Sequence, residues 1–326
     1  MRTVPEPRDY GRRPSQLQGK SNSLCLVDLP SQGHDPVLIQ EILELLGPSS
    51  GKVVADCTTG RGGHSLAIAS KLGTDGTLVC LDADPRNLEF ARDRLRSAPC
   101  SVRLFHANFA ELEDVLAELK IDHVDGILAD LGISTNQLFD DQYGLSFSTD
   151  MPLDMRLDPR IRENAADVVN KLRETDLANV LYELAQERYS RRIARKIAEA
   201  RAQSPITSTE RLAELVRSAI PTRGGAPERI DPATRTFMAL RMKVNRELEN
   251  LEALLEQAPR FLRRGGRLAI VSFHSMEDRL VKQAFRSAEQ TGQLSILTKK
   301  PITPSETETS ANPRSRSAKL RVAEKC

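Results

Sequence analysis

A glycine-rich turn between an apolar run and a helical pattern is the strongest indication of fold in this chain. The apolar run 52–57 is predicted to be a buried strand, and the turn 58–63 follows it directly. Glycines in such a turn let the backbone bend sharply and approach a ligand without a side-chain clash. The next predicted strand, 77–81, ends at Asp82, twenty residues after Gly62. A carboxylate there can accept both hydroxyl protons of a ribose, so the pattern predicts a nucleotide site. The alternative is a tight turn with a capping aspartate.

Strands and helices alternate on both sides of this turn. Further strands are predicted at 102–105 and 124–129, and helices at 36–46, 64–72, 85–95 and 112–119. Strands that alternate with helices form a parallel sheet with right-handed crossovers. The fold class is therefore α/β, with a Rossmann-like sheet.

The alternation stops after Gly132 and returns near residue 244. In between, helical patterns cover 176–184, 186–202 and 209–220, with little strand signal. A helix at 244–262 and a strand at 267–273 then follow, and the tail holds a predicted loop at 301–313 and a last strand at 318–323. We predict an all-helical domain at 137–235, inserted into a sheet domain made of 34–136 and 236–326. Residues 1–33, rich in Arg, Pro, Ser and Gly, are predicted to be a disordered extension.

Composition excludes several classes of protein. The five cysteines have neither a C-x-x-C pair nor metal-ligand spacing, so we expect no metal and a reducing, cytoplasmic location. The only apolar piece near the N-terminus, 24–29, is interrupted by Asp28, so we expect no membrane segment. Tryptophan is absent and aromatic residues reach 4%, so any stacking platforms for single-stranded nucleic acid must be few.

The residue after the glycine-rich turn favours one nucleotide over another. A dinucleotide fingerprint places a third glycine where this chain has Ser65. S-adenosylmethionine has no pyrophosphate that needs a bare helix N-terminus, so it fits the pattern better. Asp130 closes the fourth predicted strand, and the carboxyl ends of the central strands line the ligand crevice of an open α/β sheet. A helix cap is the alternative role for Asp130.

Short motifs along the chain match a narrower group of proteins. In chain order they are HDPVL at 34–38, DCTTGRGGHS at 56–65, NF at 108–109, DLGIS at 130–134, PLDMR at 152–156, PATRTF at 232–237, FHSMED at 273–278 and NPRSRSAKLR at 312–321. Together they resemble the bacterial 16S ribosomal RNA cytosine-N4 methyltransferases, the RsmH or MraW family. One departure is Tyr143, where the family usually has arginine.

The resemblance implies a class I methyltransferase sheet with a helical insertion. It also implies methylation of the exocyclic N4 of a decoding-region cytidine in 16S rRNA, with the small ribosomal subunit as partner. The S-adenosylmethionine contacts that it implies are Gly62, Gly63, His64, Asp82, Phe109, Asp130 and Gln137. Ordinary core packing is the alternative for Phe109. Asp130 is also our candidate catalytic residue, because the methionine end of the cofactor and the incoming base are expected to meet there. Its alternative role is to bind the cofactor's ammonium group alone.

Basic residues predict where RNA binds. The helical pattern 186–197 puts Ile193 and Ile197 on one face and arginines, including Arg188, around the rest. Guanidinium groups bind phosphates in a forked geometry, and phosphate contacts supply most non-specific affinity. The predicted RNA-contacting residues are Arg156, Arg191, Arg192, Arg195, Arg235, His274, Ser275, Arg314 and Arg316. A solvated helix face and a buried histidine are the alternatives.

Two other functions remain open at this stage. An NAD-dependent oxidoreductase would also use Asp82, although Ser65 disfavours it. The other is a non-catalytic ribosome-assembly factor that kept the fold, although the intact cofactor residues argue against it. Binding of S-adenosylmethionine rather than NAD would exclude the oxidoreductase. Failure to bind S-adenosylmethionine would favour the assembly factor.

Overall fold

The computed structural model describes residues 36–221 and 231–326, so the predicted extension 1–33 lies outside the described residues. The strands are β1 Val53–Asp56, β2 Thr77–Asp82, β3 Ser101–His106, β4 Val124–Asp130, β5 Leu262–Ser272, β6 Leu294–Ile296 and β7 Lys319–Lys325. The helices are α1 Ile39–Leu46, α2 Gly63–Leu72, α3 Pro85–Arg94, α4 Leu112–Leu119, α5 Thr135–Phe139, α6 Ala165–Lys171, α7 Glu174–Ala185, α8 Ser190–Arg201, α9 Thr209–Ala219, α10 Ala233–Asn245, α11 Glu247–Phe261, α12 Ser275–Gln290 and α13 Glu306–Ala311. Within the two described ranges, no helix is long and apolar enough to cross a membrane.

The strands form one seven-stranded sheet in the order β3-β2-β1-β4-β5-β7-β6. The first five are parallel neighbours, whereas β7 runs antiparallel to both β5 and β6. The order reverses beside β1, which is the switch point where ligands bind in open α/β sheets. The Rossmann-like sheet predicted from the alternation is therefore confirmed.

Both faces of the sheet are buried, which explains the continuous apolar runs of its strands. Successive residues of β2 alternate between the two cores: Leu78 lies in one and Val79 in the other. Helices α1, α2 and α3 cover the first face, and α4, α11 and α12 cover the second. The carboxyl ends of the parallel strands stay uncovered at one edge, where a ligand can reach them.

Helices α6 to α10 form the helical insertion between β4 and β5, as predicted. Their apolar side chains share a separate core, which includes Leu181, Ile193 and Leu240. Helix α10 belongs to this core and continues across the predicted domain boundary at 235/236. The position of that boundary stays a prediction. The single helix predicted at 186–202 is wrong at its start. Gln186 has a left-handed backbone (φ 50°) that ends α7, and α8 begins only at Ser190.

The C-terminal region holds more regular structure than the sequence patterns predict. The predicted loop 301–313 contains α13, because the Ser305 hydroxyl accepts a hydrogen bond from the Glu308 amide and caps the helix. Glu308 in turn accepts from the backbone amide of Leu38 at 2.8 Å. The tail is thereby tied to the start of the described chain.

Candidate active site

A cavity of about 680 Å³ opens at the carboxyl ends of β1, β2 and β4. Its volume is within the range of small-molecule sites, roughly 300–1,000 Å³. The predicted site residues that line it are Gly63, His64, Asp82, Phe109, Asp130, Gln137, His274, Arg314 and Arg316. The fold therefore brings six of the seven predicted cofactor residues and three of the predicted RNA residues to the wall of one cavity.

The glycine-rich turn is shaped by the buried side chain of Asp56. Its carboxylate accepts from the Ser65 hydroxyl at 2.6 Å and from the Thr58 amide at 3.2 Å, and burial raises its pKa. Ser65 thus has a structural partner at the position where a dinucleotide fingerprint has glycine. Gly62 does not line the cavity. Its φ of +81°, in the left-handed region that side chains disfavour, explains why glycine stands there.

Asp82 is held at the end of β2 by three donors. One oxygen accepts from the Gly60 amide at 2.7 Å, and the other from the Asp84 amide at 2.9 Å and the Asn87 side chain at 3.3 Å. Burial raises the pKa of the Asp82 carboxyl to about 6. Each carboxylate oxygen has two acceptor sites, so one site remains, on the oxygen that accepts from Gly60, and it can take one hydroxyl of a ribose. Gly60 was missed in the sequence, although its φ of +53° and its bond to Asp82 place it in the cavity wall.

Asp84 joins the cavity wall to the start of the insertion. Its carboxylate accepts from the Gln137 amide at 2.8 Å and from the Tyr143 hydroxyl. The Arg86 guanidinium lies 3.7 Å from the centre of the Tyr143 ring and 3.3 Å from Asp140. Tyr143 therefore contacts a carboxylate and a guanidinium group at the same time. Gln137 lines the cavity as predicted, and its contact with Asp84 was not foreseen.

Asp130 is the buried carboxylate at the end of β4. Its backbone amide donates to the Thr58 hydroxyl at 2.6 Å, which fixes it against the glycine-rich turn. One carboxylate oxygen lies 3.5 Å from Nδ1 of His64, whose Nε2 bonds the Val37 carbonyl at 2.9 Å. The other oxygen, Oδ1, is buried with no hydrogen-bond partner among the described residues. Burial raises the pKa of Asp130 to about 6, and nearby Asp56 and Glu277 raise it further against the attraction of His64.

A second cluster of polar side chains lines the same cavity. Glu247, His274 and Glu277 place one ligand atom each within 4.8 Å of the others, which is compatible with a metal ion. Arg241 binds both oxygens of Glu247, at 2.7 and 2.8 Å, and Glu277 accepts from the backbone amide of Phe273 at 2.8 Å. These acidic groups therefore already have cationic or amide partners. The pKa of Glu277 is lowered by its hydrogen bond to His274 and its proximity to Arg241, against the opposing effect of burial.

The remaining predicted RNA residues lie away from the cavity. Arg156 is engaged by Asp154, with Nε and Nη2 each 2.7 Å from a carboxylate oxygen, so it braces its own loop. The α8 arginines are exposed around a helix whose Ile193 and Ile197 are fully buried. The exposed residues outside the cavity are Arg191, Arg192, Arg195, Arg235 and Ser275. Their contact with RNA stays a prediction.

The sheet order and the two strand-end carboxylates in one cavity define a Rossmann-like methyltransferase. The family model described as the MraW methylase family matches residues 31–326, and the chain belongs to this family. It is 48% identical over 299 residues to the ribosomal RNA small subunit methyltransferase H of Acidobacterium capsulatum, covering 90% of this chain and 98% of that protein. The protein of the same name from Syntrophotalea carbinolica is 47% identical over 304 residues, covering 89% and 96%.

Solved structures with a similar fold are far more distant in sequence. An rRNA methylase from Streptococcus thermophilus has a TM-score of 0.41 and 12% identity, covering 88% of this chain and 93% of that one. Family membership rather than this likeness decides between a methyltransferase and the NAD-dependent alternative.

Proposed function

We propose that this chain transfers the methyl group of S-adenosylmethionine to the exocyclic N4 of a cytidine in the decoding region of 16S rRNA. The observation that carries the proposal is the buried, unpartnered carboxylate oxygen of Asp130 in a cavity of a chain that belongs to the MraW methylase family. A buried carboxylate oxygen without a donor costs free energy, so a fold keeps it where a ligand supplies the donor or the positive charge.

The residues of the cavity fit S-adenosylmethionine. Asp82 keeps one acceptor site for a ribose hydroxyl, and the half-buried ring of Phe109 follows β3, where it can cover an adenine face. The Asp130 carboxylate is suited to bind the positively charged methionine end of the cofactor. When bound, the sulfonium supplies an activated methyl group. The contacts predicted for Gly63, His64 and Gln137 are supported by their place in the cavity wall.

We assign the binding and activation of the target cytosine to residues of this chain. A cytosine amino nitrogen is a weak nucleophile because its lone pair is delocalised into the ring. Attack requires in-line placement, with the base turned out of its stack and into the cavity. A carboxylate that accepts an N–H bond localises the lone pair toward the methyl group and can take the proton afterwards. Asp130 has the free oxygen for this role, and His274 and Ser275 are our candidates for holding the base.

The helical segment 137–235 is our proposed RNA-recognition domain, and the small ribosomal subunit in the cytoplasm is the proposed partner. Exposed arginines on α8 support the first assignment, because guanidinium groups at the surface can meet phosphates; Arg195 also lies 3.8 Å from a carboxylate oxygen of Glu174. Arg235, at the end of the helical segment, and the cavity-lining Arg314 and Arg316 are further proposed RNA contacts.

Nucleoside mass spectrometry of small-subunit rRNA tests the function directly. Subunits from cells that lack this protein are incubated with purified protein and S-adenosylmethionine, and the rRNA is digested. N4-methylcytidine should appear among the nucleosides with wild-type protein and not with Asp130→Asn, and mass spectrometry of nuclease fragments should place it at one decoding-region position. Restored subunit assembly without any new methylated cytidine would favour the non-catalytic assembly factor instead.

A further inference from the structure

Two exposed phenylalanines lie beside arginines that line the cavity. Phe90 on α3 is 51% exposed and Phe139 on α5 is 48% exposed. The Arg61 guanidinium lies 3.9 Å from the centre of the Phe90 ring, and that of Arg314 lies 5.0 Å from the centre of the Phe139 ring. Both arginines face the cavity. A single exposed apolar side chain is common on a protein surface. Here the same arrangement, an exposed phenylalanine with a cavity-lining arginine over its ring, occurs twice beside one cavity.

The two pairs are connected through α5. With its amide oxygen toward Arg61, Asn136 accepts from Nε and Nη1 of that arginine at 2.8 and 3.0 Å. Asn136 and Phe139 are three residues apart in α5, so they lie on neighbouring parts of one helix face. We call this continuous surface the arginine–phenylalanine strip; its members are Phe90, Arg61, Asn136, Phe139 and Arg314.

Arg314 gives the strip a positive charge without a protein counter-ion. It is half-buried, and no carboxylate within the described ranges lies within ion-pair distance of it. Burial lowers its pKa with no acidic group to oppose the effect. A partly desolvated cation over an aromatic ring is suited to a ligand that combines a phosphate with a flat π face. Nucleotides of single-stranded RNA have both.

We propose that the arginine–phenylalanine strip binds the nucleotides that flank the target cytidine in single-stranded RNA. The proposal rests on the proposed function. Turning the target base out of its stack leaves its neighbours with an uncovered face, and an aromatic or guanidinium platform replaces the lost stacking. The bases stack on the Phe90 and Phe139 pairs, and Arg314 meets a phosphate. Among the described residues the large exposed aromatic side chains are Phe90, Phe139 and Tyr182, and of these only the two phenylalanines have a cavity-lining arginine over the ring.

A single-stranded RNA oligonucleotide with the decoding-region sequence and 2-aminopurine beside the target cytidine tests the strip. Affinity and fluorescence are measured at several salt concentrations with the full chain and saturating S-adenosylmethionine. Phe139→Ala and Phe90→Ala should each weaken binding about 10-fold and remove part of the fluorescence change, with an unchanged salt slope. Arg314→Gln should make the log–log salt slope shallower by about one.

Tyr182 on α7 provides the matched control. It is 60% exposed, does not line the cavity and has no arginine over its ring among the described residues. Tyr182→Ala should bind the oligonucleotide and the cofactor like wild type. Equal RNA affinity for Phe139→Ala and wild type overturns the proposal. A loss of affinity for intact subunits without a loss for the oligonucleotide also overturns it, because that result would indicate a contact with ribosomal protein. A wild-type protein that shows the stacking signal but forms no methylcytidine refutes the proposed function and leaves the strip supported.

Discussion

Replacing Asp130 by asparagine should stabilise the fold at neutral pH and remove most methyl transfer. Asparagine keeps the shape of the side chain and removes the charge that burial disfavours. Asp130 is a suitable position for this test because its Oδ1 has no partner to lose among the described residues. Stability and activity are then expected to change in opposite directions, as at other functional sites that store a destabilising group.

The size of the stability gain follows from the raised pKa. The Asp130 carboxyl titrates near 3.8 in the unfolded chain and at about 6 in the folded protein. The folded state therefore binds more protons between these values, and wild-type stability decreases as pH rises from about 4 to about 6. Two pKa units correspond to about 3 kcal/mol, which is the upper limit of the gain. The gain should be small near pH 4 and reach its full size above pH 6.

Urea unfolding of both proteins at several pH values between 4.5 and 8 measures this gain. A stability difference that is the same at every pH would refute the idea of a buried charge. Single-turnover methylation at saturating cofactor measures the second effect, and we expect most of the rate to disappear. Near-normal rates would show that Asp130 only binds the cofactor, and the catalytic assignment would be withdrawn.

Three further predictions follow from other parts of the structure. Asp82→Ala should weaken S-adenosylmethionine binding about ten- to a hundredfold by calorimetry, because the ribose loses a charged acceptor; an unchanged Kd in a folded variant contradicts this. Gly144→Ala should lower the free energy of unfolding by about 3 kcal/mol or more, because φ is +61° and a Cβ would collide with a backbone carbonyl; an unchanged urea midpoint would rule this out. Neutralising three α8 arginines should make the RNA salt slope shallower by about one per lost contact while cofactor affinity is retained; they are Arg191, Arg192 and Arg195.

The sheet and its strand-end carboxylates could be predicted because their causes are local. Strands buried on both faces are continuously apolar, and the residue that ends such a strand in a parallel sheet is placed at the ligand edge by topology alone. Asp82 and Asp130 were found in this way. Helix α12 was missed although its sequence indicates it: Leu280, Val281, Ala284, Phe285 and Ala288 recur at helical spacing and pack against the core.

The wider wall of the cavity could not be predicted because it depends on contacts between distant segments. Asp84 meets Gln137 and Tyr143 across the start of the insertion, and nothing near Asp84 in the sequence indicates those partners. The role of a residue type is equally ambiguous before folding. Gly62 serves the turn rather than the cavity, and Arg156 pairs with a carboxylate two residues away.

The placement of the helical insertion affects the order in which the chain can fold during synthesis. Strand β4 pairs with β5, and β5 with β7, so half of the sheet lacks its neighbours until the last residues have left the ribosome. The helices in between share a core of their own and make mostly local contacts, which form quickly. At about 5–20 residues per second, the β1–β4 half then waits seconds with an open edge at β4. Shortening that wait, for example by synonymous codons that speed translation of the segment between β4 and β5, should reduce aggregation during expression.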